Sequence, residues 1–306
     1  MKVIGYIHSG KLGKNENDFL RISKEKGIEV RLLNISQSID LKELQEMELC
    51  DIIYNDSGED FAIEFIKIFE NMGIPVVESS KAYFDENKWN FYEKCIKHGI
   101  PAPLTIKLSK NTEDIKKQLV EFNHWPVILK RVRGTWGEFV ARANNVDEAI
   151  NVIEGFWNRG GTKHIPIIAQ EFIDSFSYRV TYIGDEILQT AIKENNNWKC
   201  TGVYAKNFKT FDIDPALKDI VQKIMKYTDI KICGIDLLKK GDEWLVIEAN
   251  AEPALDFFEI ERTMLIEKII DLIAKLCPNE RFEGSEPIII SNSNDCNDKS
   301  QNLLFD

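Results

Sequence analysis

The sequence predicts an α/β chain in which a small parallel, layered unit is followed by units whose strands pair through hairpins. Three observations carry that expectation. Strand-like apolar runs alternate with helical periodicity over residues 1–84, the order that builds a parallel sheet covered by helices. Over 125–143 a strand, a glycine loop and a second strand follow one another. That order differs from the strand–loop–helix of a Walker motif and argues against a P-loop NTPase. Finally, two apolar runs flank Lys239-Lys240-Gly241-Asp242, a strong short-range hairpin signal.

In the first unit, 3–8 reads as a strand and 15–26 as a polar helix ended by Gly27. Strands follow at 28–33 and 51–55. Asp56-Ser57-Gly58 is expected to cap a helix whose apolar stripe is Phe61, Phe65, Ile66, Phe69 and Met72. Gly73 ends that helix, and 74–77 returns to strand. The loop 8–13 contains Gly-x-x-Gly, which alone reads as a surface loop rather than a phosphate cradle. A helix is predicted over 86–98, with Asp85 at its N-cap and Gly99 as its stop. Lys88 falls in its first turn, beside backbone N–H groups that favour anions.

Pro101 and Pro103 then make an extended link. A helix over 112–123, strands over 125–130 and 139–143, and a helix over 147–157 complete the second unit. The third unit starts at Ile165. It comprises a strand over 167–173, a hairpin of 178–183 and 186–194 around Gly184-Asp185, a helix from Pro215 to Tyr227, and a last helix over 261–276. The expected segments are thus 1–84, 85–164 and 165–282. Residues 283–306 form a polar tail expected to be disordered, in which 287–290 could add an edge strand.

Composition bounds the function. At 306 residues the chain suffices for two or three packed units. A net charge of −11 argues against a general nucleic-acid binder, which needs a basic face. No apolar run approaches the roughly 20 residues that span a bilayer, so no membrane partner is expected. Residues 1–7 begin directly as a strand instead of a cleavable signal. The six cysteines are scattered without a Cys-x-x-Cys pair, which suits reduced thiols in a cytoplasm.

Folding about the 239–242 turn places Asp236 opposite Glu248, and Asn250 projects from the same strand face as Glu248. Three oxygen side chains then converge, a set that suits Mg²⁺ shared with nucleotide phosphates. The alternative is a hairpin whose polar residues face water. Asp236 and Glu248 sit inside apolar strands, however, where unpaired carboxylates are costly.

Four elements now stand in order: Lys88, the Lys130 strand with its glycine loop, Gln170-Glu171-Phe172-Ile173, and the Asp236/Glu248/Asn250 set. Over residues 1–275 this order resembles the ATP-grasp superfamily, in particular the RimK-like carboxylate–amine ligases related to glutathione synthetases. The specific pieces are Cys233-Gly234-Ile235-Asp236, Val246-Ile247-Glu248-Ala249-Asn250-Ala251-Glu252-Pro253, and Lys130-(x)₃-Gly134-Thr135-Trp136-Gly137. The resemblance implies an ATP-grasp fold, two α+β subdomains gripping ATP behind a small pre-ATP-grasp domain. It implies that Lys88 and Lys130 hold the nucleotide phosphates. Gly134, Thr135, Trp136 and Gly137 would lie over those phosphates as a lid.

The same resemblance assigns Gln170, Glu171, Phe172 and Ile173 to the adenine, and Lys199 to the phosphate region. Arg179 would face the acyl phosphate and the tetrahedral intermediate. Asp236, Glu248 and Asn250 would hold Mg²⁺, as two ions, with Mn²⁺ as a substitute. The chain departs from the family at Glu138-Phe139, where glycine is usual, and at Cys200-Thr201, which replace Ser-Asn.

The implied reaction joins a carboxylate to an amine and releases ADP and phosphate. Its substrates would be an amino acid, a peptide or a protein tail. Ligases of the lysine-pathway or glutathione type are an alternative, and a non-catalytic nucleotide-binding regulator is another. Glu252, Asp256, Glu259 and Glu261 form an acidic patch. Asp256 or Glu259 is the expected contact for a cationic amine, with Phe257 and Phe258 as walls. An ordinary acidic helix start is the competing reading. Ser57 and Gly58 are expected to add substrate contacts, and the chain is expected to form a homo-oligomer.

Overall fold

The computed structural model describes residues 2–134, 137–159, 165–194, 198–199 and 207–278. Its first unit runs β1 (Val3–His8), α1 (Lys14–Glu25), β2 (Glu29–Asn34), α2 (Leu41–Glu48), β3 (Ile52–Asn55), α3 (Asp60–Asn71), β4 (Val76–Val77) and α4 (Ser80–Glu86). The four strands form a parallel sheet in the order β2-β1-β3-β4. Every residue of β1 is buried, as an unbroken apolar run in a parallel sheet requires.

Two local expectations are corrected here. Helix α3 is not capped by 56–58: its N-cap is Glu59, without a side-chain cap bond. Its buried residues are Ala62, Ile63, Ile66 and Phe69, whereas Phe61 is 55% exposed. The buried stripe is therefore rotated from the expected one. Helix α2 was not anticipated, although Asp40 and Glu43 form a capping box at its start.

The second unit opens with α5 (Lys88–Lys97). Its N-cap is Asn87, which accepts from the N–H groups of Trp89 and Asn90, not Asp85. Asp85 lies buried inside α4, where it accepts from the Asp229 N–H and pairs with Lys94 at 2.6 Å. Then come β5 (Thr105–Lys107), α6 (Thr112–Phe122), β6 (Val127–Arg131), β7 (Val140–Ala143), α7 (Val146–Arg159) and β8 (Ile167–Glu171). These strands make an antiparallel sheet in the order β5-β8-β6-β7. The expected break between 164 and 165 falls inside this sheet, because β8 pairs with β6 and β5. Ile115, Leu119, Ile153 and Phe156 of α6 and α7 cover it, packing on Val127, Leu129 and Ala169.

The third sheet is β11-β10-β9-β12-β13, from β9 (Ser177–Ile183), β10 (Glu186–Glu194), β11 (Asn207–Lys209), β12 (Ile232–Lys240) and β13 (Glu243–Asn250). Helix α8 (Pro215–Tyr227) is capped by Asp214 and buries Leu217, Ile220, Val221 and Ile224 in the core shared with β9, β12 and β13. Helix α9 (Glu259–Leu276) starts two residues earlier than expected. It lays Leu265, Ile266, Ile269, Ile270 and Ile273 against Ile4, Tyr6, Ile52 and Phe19 of the first unit. A continuous apolar core thus fastens the parallel unit to the end of the chain. No helix among the described residues is long and apolar enough to cross a membrane. The expected tail, 283–306, lies outside the described residues.

Candidate active site

The site is built on the β12–β13 hairpin. Asp236 faces Glu248 in register, with an irregularity between Asp236 and Leu237. Gly234 faces Asn250, whose Nδ2 donates to the Gly234 carbonyl at 3.2 Å. On its other edge β12 pairs with β9, which brings Arg179 opposite Asp236. The guanidinium grips the carboxylate as a fork: Nε to Oδ1 at 2.6 Å and Nη2 to Oδ2 at 2.9 Å. Such paired, charge-assisted bonds fix both position and angle.

Lys193 on β10 adds a third bond, Nζ to Asp236 Oδ1 at 2.7 Å. Burial pushes the Asp236 carboxyl up, but Arg179 and Lys193 outweigh it and hold the group well below the usual carboxylate range. Phe257 lies alongside, its ring centroid 5.8 Å from Arg179 Cζ and 5.6 Å from Lys193 Nζ.

Lys88 arrives from the start of α5. Its N–H donates to the Val132 carbonyl at 2.9 Å, which ties the helix to the end of the Lys130 strand. Its Nζ stands 3.1 Å from Glu248 Oε2 and donates to the Gly134 carbonyl at 3.0 Å. Burial lowers the Lys88 pKa, but Glu248 more than offsets it and the net shift is upward.

Lys130 behaves differently. It is buried on β6, donates to Gln170 Oε1 at 2.8 Å, and has no carboxylate in salt-bridge range among the described residues. Burial pushes its pKa down to about 8, opposed by Glu248 and reinforced by Lys88. Gln170 is itself held by its Nε2 on Thr105 Oγ1 at 2.9 Å. A buried ammonium without a counter-charge is costly and invites an anion.

Other expected residues fall around this centre. Glu171 pairs with Lys240 at 3.0 Å and accepts from the Leu104 N–H. The strand there ends at Glu171, short of the expected 173. Phe172 donates its N–H to Pro126 and carries Arg142 over its ring at 4.5 Å. Ile173 is buried. Lys199 Nζ donates to the Val140 carbonyl at 3.2 Å, beside the glycine loop. In that loop Gly134 (φ 143°) and Gly137 (φ 69°) have backbone conformations that favour glycine. Thr135 and Trp136, and also Cys200 and Thr201, lie outside the described residues.

The acidic patch does not stay together. Glu259 turns to Lys14 and to Arg262, tying α9 to α1. Glu261 accepts from Gln189 Nε2 at 2.8 Å. Asp256 is exposed and, among the described contacts, touches none of the Asp236 cluster. The start of α9 packs against α1 and β10, and that packing directs the carboxylates of Glu259 and Glu261. Glu252 turns inward and accepts from Tyr83 OH at 2.6 Å and from the Gly58 N–H. Burial pushes its carboxyl up to about 8, with Asp56 and Glu86 adding to the rise.

Lys193 was missed by sequence reasoning. It stands at the end of an amphipathic strand, where a lysine ordinarily meets solvent, and only the β9–β10 pairing turns it onto Asp236.

The donor set suits a divalent cation: two carboxylates and an amide oxygen on one hairpin, Asp236 held ionised and Glu248 paired with Lys88. No cluster of three or more His, Cys, Asp or Glu able to hold a metal occurs among the described residues, so Asn250 is needed to complete the set. Four cations, Lys88, Lys130, Arg179 and Lys193, surround these two carboxylates. That surplus suits a polyanion such as a nucleotide triphosphate.

The chain is similar to known ligases over much of its length. The family model of the RimK-like ATP-grasp domain matches residues 85–276. A Haemophilus influenzae protein named as a probable alpha-L-glutamate ligase is 27% identical over 214 residues, 67% of this chain and 68% of its own. The alpha-aminoadipate–LysW ligase LysX of Sulfurisphaera tokodaii is 28% identical over 208 residues, covering 66% and 72%. The D-alanine–D-alanine ligase of Bacillus anthracis, solved with ATP, superposes with a TM-score of 0.68 at 15% identity, over 90% of this chain and 97% of that one.

Proposed function

The chain belongs to the RimK-like ATP-grasp family, and from that premise we propose which carboxylate–amine ligation it performs and how. It is an ATP-grasp ligase that forms carbon–nitrogen bonds. Its substrates are an amino acid, peptide or protein carboxylate and an amine. The observation that carries this reading is the cluster of Lys88 with the buried Lys130, Arg179 and Lys193 around Asp236 and Glu248.

The reaction has two displacements. A carboxylate oxygen attacks the γ-phosphorus of ATP, and the bond to ADP breaks. The amine nitrogen then attacks the acyl carbon of the resulting acyl phosphate, and the carbon–oxygen bond to phosphate breaks, leaving the amide. Asp236, Glu248 and Asn250 would hold Mg²⁺, which would supply Lewis-acid neutralisation of phosphate charge. Lys88 and Lys130 approach the phosphates from two sides, one from a helix start and one from the lid sheet. Arg179 and Lys193 offer donors in a fixed, desolvated place, where they serve an oxyanion without reorganising. The loop at Gly134 and Gly137 excludes water from the acyl phosphate. Cys50, Cys95, Cys233 and Cys277 are buried thiols, which suits a reducing cytoplasm.

The test is ADP release with Mg²⁺-ATP across a matrix of amino-acid and short-peptide pairs, with product masses followed in parallel. Turnover by one pair, abolished in Glu248→Ala, is expected. ATP binding without ADP release from any pair would favour a nucleotide-binding regulator.

A further inference from the structure

One part of the substrate can be named from the first unit, and this inference rests on the ligase reading. The order β2-β1-β3-β4 reverses the direction of sheet growth between β1 and β3. Ligands of open α/β sheets bind outside the carboxyl ends of strands at such a point. There β3 ends at Asn55, and the next residue, Asp56, donates its N–H to Ile7 of β1 at 3.1 Å. The Asp56 carboxylate accepts from Tyr6 OH at 2.6 Å. Asn55 Nδ2 donates to the Ser57 carbonyl at 2.8 Å and to Tyr83 OH at 2.5 Å. Tyr83 OH in turn donates to Glu252 Oε1 at 2.6 Å. Glu252 follows Asn250 by two residues, so this network joins the crevice to the metal hairpin.

The network is short of positive charge, and one of its acceptors lacks a donor. By contrast Asp85 is matched by Lys94, and Asp236 by Arg179 and Lys193, while the buried Glu78 is held by two backbone N–H groups. Asp56 and Glu252 have no basic partner among the described residues, and their charged neighbours are Glu16 and Glu86 together with each other. Asn55 is 1% exposed, and its Oδ1 has no partner. The amide cannot turn over to relieve this, because its oxygen would then face the Ser57 carbonyl. A buried acceptor left without a donor costs about 1–3 kcal/mol. One enclosed, unfilled carbonyl oxygen thus lies in a network with two carboxylates. An ammonium supplies three N–H donors, one positive charge and no acceptor.

We propose that the crevice framed by Asn55, Asp56 and Glu252 is a recognition site for a primary ammonium of the substrate. It takes over the role that sequence reasoning gave to Asp256 and Glu259. The site grips a charged nitrogen and orients the molecule toward Arg179, and takes no part in bond making.

The test is calorimetric titration of the full chain, saturated with Mg²⁺ and adenylyl imidodiphosphate, using four probes. L-lysine carries both ammonium groups, Nα-acetyl-lysine only that of the side chain, Nε-acetyl-lysine only the α-ammonium, and the diacetylated form neither. Binding of lysine and of at least one monoacetylated probe is expected, with none by the diacetylated probe. The monoacetylated form that binds identifies the ammonium. Glu252→Gln and Asp56→Asn should each weaken that binding roughly ten-fold or more, the loss of one charged hydrogen bond. Nucleotide affinity should stay unchanged, showing that the variants fold.

Three results would overturn the proposal: no cationic probe binds the nucleotide-loaded protein, the diacetylated probe binds equally, or both variants bind like wild type. In the last case the Glu252–Tyr83 contact is a tie between units only. Failure to bind the nucleotide itself would instead count against the ligase reading.

Discussion

The Arg179 guanidinium lies across Gly234: a Cβ at position 234 would sit 2.0 Å from Nη1 and 2.9 Å from Cζ. The glycine two residues before Asp236 thus leaves room for the fork that holds this carboxylate. Gly234→Ala should push the guanidinium aside and lower kcat by about 10²–10³, the scale of losing one preorganised oxyanion donor. Nucleotide affinity should change far less. Steady-state kinetics beside nucleotide titration checks this, and equal losses in both would contradict the placement of Arg179.

Lys130 makes a pH prediction. Its pKa is pushed down to about 8 by burial, and phosphate contact favours the charged form. Protonated Lys130 therefore binds ATP more tightly, and affinity should fall as pH rises through about 8, with proton uptake on binding in that range. Titrations at fixed Mg²⁺ in buffers of different ionisation enthalpy measure both effects. A flat affinity from pH 7 to about 9.5 would remove Lys130 from the phosphate site. Without ligand the sign is opposite for stability: the unfolded chain binds the proton more tightly, so stability should rise between about 8 and 10.5.

Glu78 makes a stability prediction. Its Oε1 accepts from the N–H groups of Lys231 and Ile232, at 2.9 and 2.6 Å, while Oε2 is buried without a partner. Burial raises its carboxyl from 4.5 to about 8. A carboxyl raised by folding stabilises fully below the unfolded pKa and loses that contribution as pH climbs to the folded value. Glu78→Gln cannot titrate. Its thermal midpoint relative to wild type should therefore rise between pH 4.5 and 8. Thermal scans across that window decide it, and a constant difference would contradict the prediction.

Much of the centre was legible because its signals are local. The turn at Lys240-Gly241 and the apolar runs beside it set the hairpin, and with it the Asp236–Glu248 register. The Lys130 strand was likewise readable from its apolar run, and the end of the Lys88 helix from Gly99. What escaped depends on contacts distant in sequence. Strand β8 joins the sheet of Lys130 through pairing with β6, 40 residues earlier for the Gln170–Lys130 contact. Lys193 reaches Asp236 from 43 residues away. Periodicity carries no information on which strand lies next to which. The directions of the acidic run 252–261 are set in the same way: Tyr83, Lys14, Arg262 and Gln189 decide where Glu252, Glu259 and Glu261 point.

The central claim is that a substrate carboxylate is activated as an acyl phosphate over the Lys88–Lys130–Arg179 cluster. Its most direct test uses a heavy-oxygen label in the carboxylate of whichever pair turns over, with mass analysis of the released phosphate. The account predicts one labelled oxygen in each phosphate formed. Unlabelled phosphate, with the displaced heavy oxygen recovered in water or in the nucleotide, would contradict it.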